Sequence, residues 1–267
     1  MTAEIVERVL RSSRYRDVDR TLLARLAAEE LPRARNADDA VKRVKRRLHQ
    51  AVGAFRGASR APAIADAWNG DLAERAFRAA CADALRAHAS TRERQPHLDA
   101  FYTGIWAHTG APTRVLDLGC GLGPLALPWM GVAPDTVYIA SDVDHRPLAT
   151  VAEFLELVGQ PHRVDVRDLV ADPPTDTADV ALLLKLVTTL DRQDPEAAAR
   201  LLRVLRVRHA VVSLPARSLG GRGKGMERTY RDRLERLVAD AGRVRAVAEA
   251  SVPNELVFVL TLDPADG

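Results

Sequence analysis

Apolar residues recur at helical spacing through the first part of the chain: Ile5, Val6, Val9 and Leu10, then Leu22, Leu23 and Leu26, then Val41, Val44 and Leu48. That period predicts amphipathic helices that bury one stripe each. Asn36-Ala-Asp38-Asp39 is placed to cap the third of them. Gly53 to Pro62 carries Gly, Ser and Pro and reads as a loop, and another helix is expected from about Asp71 to Ala89. Past Pro112 the pattern changes. Apolar runs rich in β-formers alternate with helical stretches: Arg114–Leu118, Thr136–Ser141, His162–Val166, Asp179–Leu184, His209–Leu214, Val244–Ala248 and Glu255–Leu262. Several are apolar on both faces, as buried parallel strands are. The expectation is an α/β fold, a doubly wound Rossmann-like sheet over residues 93–267 behind a helical domain over residues 1–92. Only Ser251 to Asn254 separates the last two runs, so that pair should be antiparallel.

Composition narrows the class. At 267 residues, 47% hydrophobic and 28% charged, the chain has the make-up of an ordinary soluble domain with a substantial core. No apolar run approaches the roughly 20 residues needed to span a bilayer. The start, MTAEIVERVLRSSRYRDV, interrupts its apolar positions with acids and arginines and is not a signal peptide. A cytoplasmic protein without a membrane partner is expected. Cys81 and Cys120 have no disulfide or zinc pattern. The seven histidines, at 49, 88, 97, 108, 145, 162 and 209, lack metal-ligand spacing, so no metal is expected.

Charge is uneven. Residues 1–100 carry a net +6 and the remainder −3. A basic front half points to a polyanionic partner. The run Lys42-Arg43-Val44-Lys45-Arg46-Arg47 lies on the helix whose apolar face is Val41, Val44 and Leu48, so its cations cover most of the rest. A second cationic stretch, Arg217-Ser-Leu-Gly-Gly-Arg222-Gly-Lys224-Gly-Met-Glu-Arg228, interleaves glycines that would let it mould to a folded surface. Solvated helix faces and a merely flexible loop are the plain alternatives.

Three features lie at the carboxyl ends of the first strands, where an open α/β sheet gathers its ligand. They are Asp117-Leu-Gly119-Cys-Gly121-Leu-Gly123, then Ser141-Asp142, then Asp168-Leu169. A glycine turn admits a ligand, and an acid about 20 residues on accepts ribose hydroxyls. Asp168 can accept from an adenine amino group, with Leu169 beside the ring. No third glycine stands where a pyrophosphate-binding helix needs one, and Pro124 follows Gly123. This spacing favours S-adenosylmethionine over a dinucleotide.

With these residues in hand, the chain resembles the aminoglycoside-resistance methyltransferases that modify N7 of guanine 1405 in 16S rRNA. The resemblance runs through DAVKRVKRRLHQAVGAF, HASTRERQPHLDAFY, LDLGCGLGPLALPWMG, TVYIASDVD, VALLLKL, PARSLGGRGKGMERTY and NELVFVL. STRERxPHLDxFY and PWMG carry most of its specificity. It implies a class I S-adenosylmethionine-dependent fold, with S-adenosylhomocysteine as product. It also implies a monomer acting on 16S rRNA in the assembled 30S subunit. By resemblance, Arg94 pairs with the cofactor carboxylate, Asp117, Gly119 and Gly121 line the methionine portion, and Asp142 holds the ribose. Val143 packs on the adenine, Asp168 and Leu169 frame its edge, and Lys185 stands beside the reacting centre. The helix Lys42–Arg47 and the stretch Arg217–Arg228 grip rRNA. Gly123 replaces an asparagine frequent in the family. Leu186-Val187-Thr188 stands where a proline often follows the lysine.

The chemistry agrees with the residues. Guanine N7 carries a lone pair and no proton, so methylation needs alignment and desolvation rather than a general base. No convincing catalytic triad is present, and Cys120 reads as a packing residue in the loop. Lys185 either faces guanine O6 and N7 or caps its strand and pairs with an acid. Trp129 either stacks on an extruded guanine or packs in the core. The rivals are an adenine 1408 N1 methyltransferase, a methyltransferase with another acceptor, a nicotinamide oxidoreductase, and an RNA-binding protein with a vestigial cofactor fold.

Overall fold

A computed structural model of the chain describes residues 1–51, 61–87, 89–215, 224–253 and 255–265. The chain opens with α1 (Thr2–Leu10), α2 (Arg20–Glu30) and α3 (Ala37–Ala51). Their apolar stripes form a separate small core around Ile5, Val9, Leu22, Leu23, Leu26, Val44 and Leu48, all buried. Caps fix where the helices begin. Asp19 accepts from the Leu22 amide at 2.9 Å, and Asn36 accepts from the Asp39 amide at 2.9 Å.

Next come α4 (Ala61–Ala67), α5 (Arg75–Ala87), α6 (Ala89–Arg92) and α7 (Leu98–Thr109). The expected loop from Gly53 falls mostly outside the described residues, and Pro62 belongs to the first turn of α4, a position proline favours. α5 begins later than Asp71 because side chains compete for the backbone there. Asn69 takes the Asp71 amide and Asp71 takes the Ala73 amide, at 3.1 and 2.8 Å.

The sheet follows: β1 (Arg114–Leu118), α8 (Leu127–Met130), β2 (Val137–Asp142), α9 (His145–Leu157), β3 (His162–Val166), β4 (Thr177–Leu184), α10 (Val187–Asp191), α11 (Ala197–Val204), β5 (Arg206–Pro215), α12 (Lys224–Ala241), β6 (Val244–Ala250) and β7 (Glu255–Leu262). Among the described residues one seven-stranded sheet runs β3-β2-β1-β4-β5-β7-β6. The first five strands are parallel, and β7 runs antiparallel to both β5 and β6. The strand order reverses between β1 and β4, so their carboxyl ends form the crevice where such sheets bind ligands.

Alternation along the strands feeds two cores. Val115, Tyr138, Ala140, Val180 and Leu182 face Phe77, Leu85, Phe101 and Tyr102. Leu116, Ile139, Ala181 and Leu183 face Leu190, Leu201 and Leu237. The helical part of the chain therefore serves two cores: α1 to α3 have their own, whereas α4, α5 and α7 cover the sheet.

The three-helix bundle is stitched to the sheet's carboxyl edge. Val18 and Asp144 form an isolated β-bridge. The Asp19 amide donates to the Val143 carbonyl and the His145 amide to the Asp17 carbonyl, each at 2.8 Å. Arg146 pairs with Asp17 across the same seam. Among the described residues no helix is long and apolar enough to cross a membrane, and no group of His, Cys, Asp or Glu could hold a metal ion.

Candidate functional site

β1 ends in Asp117-Leu118 and the chain turns through Gly119 and Gly121, both at positive φ, 66° and 51°. A side chain is disfavoured at such angles. At Gly119 a Cβ would also come within 2.8 Å of Leu186 Cδ1, so the loop lies tight against the start of α10. Cys120 is buried, and burial pushes its thiol well above the usual range, which suits packing and not nucleophilic attack.

Asp142, at the end of β2, organises this loop. One carboxylate oxygen accepts from the Gly121 amide at 2.9 Å; the other accepts from the amides of Val143 and Asp144 at 2.7 and 3.1 Å. Beside it the Ser141 hydroxyl is buried and, among the described residues, has no hydrogen-bond partner. Such an orphan in a polar crevice is a ready contact for a bound molecule. Asp117 lies beneath. Burial pushes its carboxyl up to about 7, against the lowering effects of the Tyr138 hydrogen bond (2.8 Å) and the Arg94 charge.

Arg94 is fully buried and its guanidinium faces Glu255 at the start of β7. Nε donates to one Glu255 oxygen at 3.0 Å, and Nη2 reaches the other oxygen and Ser213. Its carbon lies 4.2 Å from the Phe101 ring centroid, a cation–π contact. Nη1 makes no hydrogen bond among the described residues. Burial alone would raise the Glu255 carboxyl, but Arg94, with help from Lys185 and Ser213, holds it below its ordinary value.

Lys185 follows β4 with φ 58°, the one non-glycine residue at positive φ among those described. Its amide is held by the carbonyl and hydroxyl of Ser213 at 3.1 and 3.0 Å. Strained backbone pinned this firmly marks functional sites. Its ammonium donates to Glu93 at 2.7 Å. The adjacent residues Glu93 and Arg94 thus bind opposite partners, Lys185 and Glu255.

On the other side of the crevice, Asp168 is buried and its carboxylate is clasped by Arg25 of α2, at 2.6 and 3.1 Å, and by the Val170 amide at 3.1 Å. Leu169 is buried in the second sheet core, and half-buried Val143 packs against the bundle core. The Arg25–Asp168 clasp opens onto a cleft of ≈ 460 Å³ lined by Arg25, Glu29, Glu30, Arg47 and Gln193, whose charges largely neutralise one another. Trp129 packs on the first core with the Arg78 guanidinium 4.9 Å over its ring.

The basic helix divides its cations by face. Arg43 and Arg47, four residues apart, turn to α2: Arg43 pairs with Glu30 at 2.8 Å, and Arg47 pairs with Glu29 and Glu30 and donates to the Gln193 carbonyl. Lys42 and Arg46 are exposed and Lys45 is half-exposed. The second cationic stretch is only partly described. Arg217 and Arg222 lie outside the described residues. The expected loop ends by residue 224, where α12 begins. Tyr230, Leu234, Leu237 and Ala241 recur at helical spacing there, and the residues before them wind with them. Arg228 is exposed on its first turns.

Sequence reasoning reached the glycine loop, Ser141 and Asp142 through local spacing, and Lys185 through the family resemblance. Glu93, Glu255, Ser213 and Arg25 were missed. A carboxylate beside a buried arginine was the available signal, since Arg94 cannot be buried unpaired.

The donor set fits S-adenosylmethionine: an acid anchored at the end of β2, a glycine cradle, an orphan hydroxyl and an arginine with a spare nitrogen. Comparison with known proteins agrees in kind. The family model described as "Ribosomal RNA methyltransferase (FmrO)" matches residues 11–259. A 16S rRNA (guanine(1405)-N(7))-methyltransferase of Micromonospora echinospora is 38% identical over 263 residues, covering 96% of this chain and 95% of that protein. A protein of the same name from Frankia casuarinae is 40% identical, covering 95% and 91%. The crystal structure of the 16S rRNA methyltransferase RmtF in complex with S-adenosyl-L-homocysteine superposes with a TM-score of 0.82 at 36% identity, over 98% of each chain. With its class I methyltransferase sheet and a match over nearly its whole length, the chain belongs to the FmrO family of ribosomal RNA methyltransferases.

Proposed function

We propose that the chain transfers a methyl group from S-adenosylmethionine to N7 of guanine 1405 in 16S rRNA, as its relatives are named for doing, with the assembled 30S subunit as substrate. It acts as a cytoplasmic monomer. The observation that carries this reading is the Asp142 cradle opening beside Lys185 at the β1–β4 switch point. Residues 93–267 bind the cofactor and residues 1–92 supply much of the rRNA-facing surface.

Asp142 would hold the ribose hydroxyls, Ser141 and Gly121 the nearby polar edge, and Asp168 the adenine amino group with lone pairs that Arg25 leaves free. Arg94 would meet the cofactor carboxylate through Nη1. Bound there, the cofactor supplies an electrophilic methyl on a sulfonium. The N7 lone pair forms the new bond as the carbon–sulfur bond breaks, and the bonding pair stays on sulfur. No proton leaves, and the positive charge passes from sulfur to the base. No residue has to act as a general base; the residues align the base and exclude water. The core contact and Arg78 cover of Trp129 support a packing role rather than stacking on guanine.

Purified protein with 30S subunits and labelled S-adenosylmethionine tests the proposal. Label at N7 of guanine 1405 is expected, with gentamicin and kanamycin resistance on expression. Label at adenine 1408 would keep the cofactor and overturn the target.

Two further outcomes follow from the site. The exposed face of α3 carries Lys42, Lys45 and Arg46, three and four residues apart. Reversing Lys45 and Arg46 to Glu should weaken binding to 30S subunits and flatten its salt dependence, because phosphate contacts release counterions. Unchanged affinity in filter binding would remove this helix from the interface. Asp117 gives a pH signature. Its raised pKa means that the neutral form is favoured in the fold, so its contribution to stability is present at low pH and lost as pH rises through about 7. The cationic cofactor favours the ionised form, so affinity for S-adenosylmethionine should strengthen with rising pH up to about 7 and then level off. Asp117→Asn should flatten that slope in calorimetric titrations.

A further inference from the structure

We propose that Glu93, paired with Lys185, reads the O6–C6–N1–H edge of the guanine being methylated and stabilises the charge that methylation creates; this rests on the reading that guanine N7 is the acceptor. The pair stands at the carboxyl end of β4, beside the glycine loop. Leu186, next to Lys185, is the residue that a Cβ on Gly119 would strike. An acceptor base must come here to meet a methyl group carried at the glycine loop.

The chemistry of the pair matches guanine. Lys185 Nζ and Glu93 Oε2 lie 2.7 Å apart, one a donor and the other an acceptor. Guanine presents O6, an acceptor, next to N1–H, a donor. Adenine presents an amino donor next to a bare N1 acceptor, so each group would face its like. The ammonium has three hydrogens and the Glu93 bond uses one. Glu93 is 39% exposed against 8% for Lys185, so the carboxylate stands outward, toward an entering base. The positive φ of Lys185 and the Ser213 bonds to its amide fix the direction in which it leaves the sheet.

A carboxylate at N1–H does more than recognise. As N7 takes the methyl group, positive charge spreads over the base and N1–H becomes a stronger donor. The bond to Glu93 therefore tightens between ground and transition states, which lowers the barrier. Lys185 alone would repel the developing cation; with Glu93 the pair is neutral. The loss on removing Glu93 should fall on kcat and spare the affinity for 30S subunits, which surface cations supply.

The test is single-turnover methylation of 30S subunits by Glu93→Gln, by Lys185→Met and by the double variant. Thermal unfolding, calorimetric S-adenosylhomocysteine affinity and 30S affinity are measured alongside. Glu93→Gln should lose about 10- to 100-fold in rate, the scale of one charged hydrogen bond, with the other three readouts unchanged. In the Lys185→Met background, Glu93→Gln should still cost about 10-fold, because the carboxylate touches the base itself. No added loss there would mean that Glu93 only neutralises Lys185 and would overturn the proposal. So would a wild-type rate for Glu93→Gln, or a rate loss matched by lost cofactor affinity or a lower melting temperature. If the wild-type protein places no methyl on guanine N7, the parent reading falls, whatever the variants do.

Discussion

Glu255→Ala should lower the unfolding free energy by about 3–5 kcal/mol, the cost of leaving a buried charge without its partner. Arg94 and Glu255 are 4% and 3% exposed, so water cannot replace the lost carboxylate. Among the described residues Arg94 would keep the Ser213 hydroxyl, the Phe101 face and the Asp117 charge. Urea denaturation measures the loss as a lower midpoint. Glu255→Gln keeps the shape and an acceptor and should cost less. The pH dependence has a definite sign. Because the Glu255 pKa is lowered in the fold, its contribution is complete above its unfolded value, near 4.5, and is lost as pH falls through the lower folded value. The wild-type protein should therefore lose stability in acid more steeply than Glu255→Gln. Equal acid sensitivity would mean that the pair contributes nothing through ionisation.

Asp142→Ala should weaken S-adenosylhomocysteine binding about 100-fold, or roughly 3 kcal/mol. Two effects combine. The proposed ribose contact disappears, and the Gly121, Val143 and Asp144 amides lose the acceptor that shapes the loop. Calorimetry reads the change directly. Asp142→Asn keeps one acceptor and should fall between. If Asp142→Ala binds as tightly as the wild type, the ribose lies elsewhere and the cradle at β2 is structural.

Much of this architecture is legible in the sequence because its signals are local. Buried parallel strands such as Asp179–Leu184 are continuous apolar runs, and the structure extends that one only to Thr177. The antiparallel close follows from a turn too short for a crossover. The glycine loop and Asp142 are joined by one βαβ unit, so their meeting is built into the spacing. Other features depend on which surface a side chain meets, and no local pattern contains that. Arg43 and Arg47 belong to the same run as Lys42 and Arg46, yet helical spacing turns them toward Glu29 and Glu30 of α2. Arg94 and Glu255 are 161 positions apart, and Arg25 and Asp168 are 143 apart. Such pairs exist only once the sheet order is set. The start of α5 was misplaced because Asn69 and Asp71 divert backbone amides that a helical period alone assigns to the helix.

The placement of β7 has a consequence for how the molecule comes into being. β7 follows β6 in the chain but lies between β5 and β6, and it brings Glu255 to Arg94. Synthesis is vectorial, and β7 is made after every other strand of the described sheet. Until its residues have cleared the exit tunnel, β5 has an open edge, β6 has no neighbour, and Arg94 lacks the carboxylate that pairs with it. The nascent chain therefore cannot assemble its methyl-transfer crevice while those residues are still inside the ribosome that makes it. An early stop that removes β7 would yield not a trimmed enzyme but a chain with an exposed strand edge and an arginine without its paired carboxylate, a substrate for proteases.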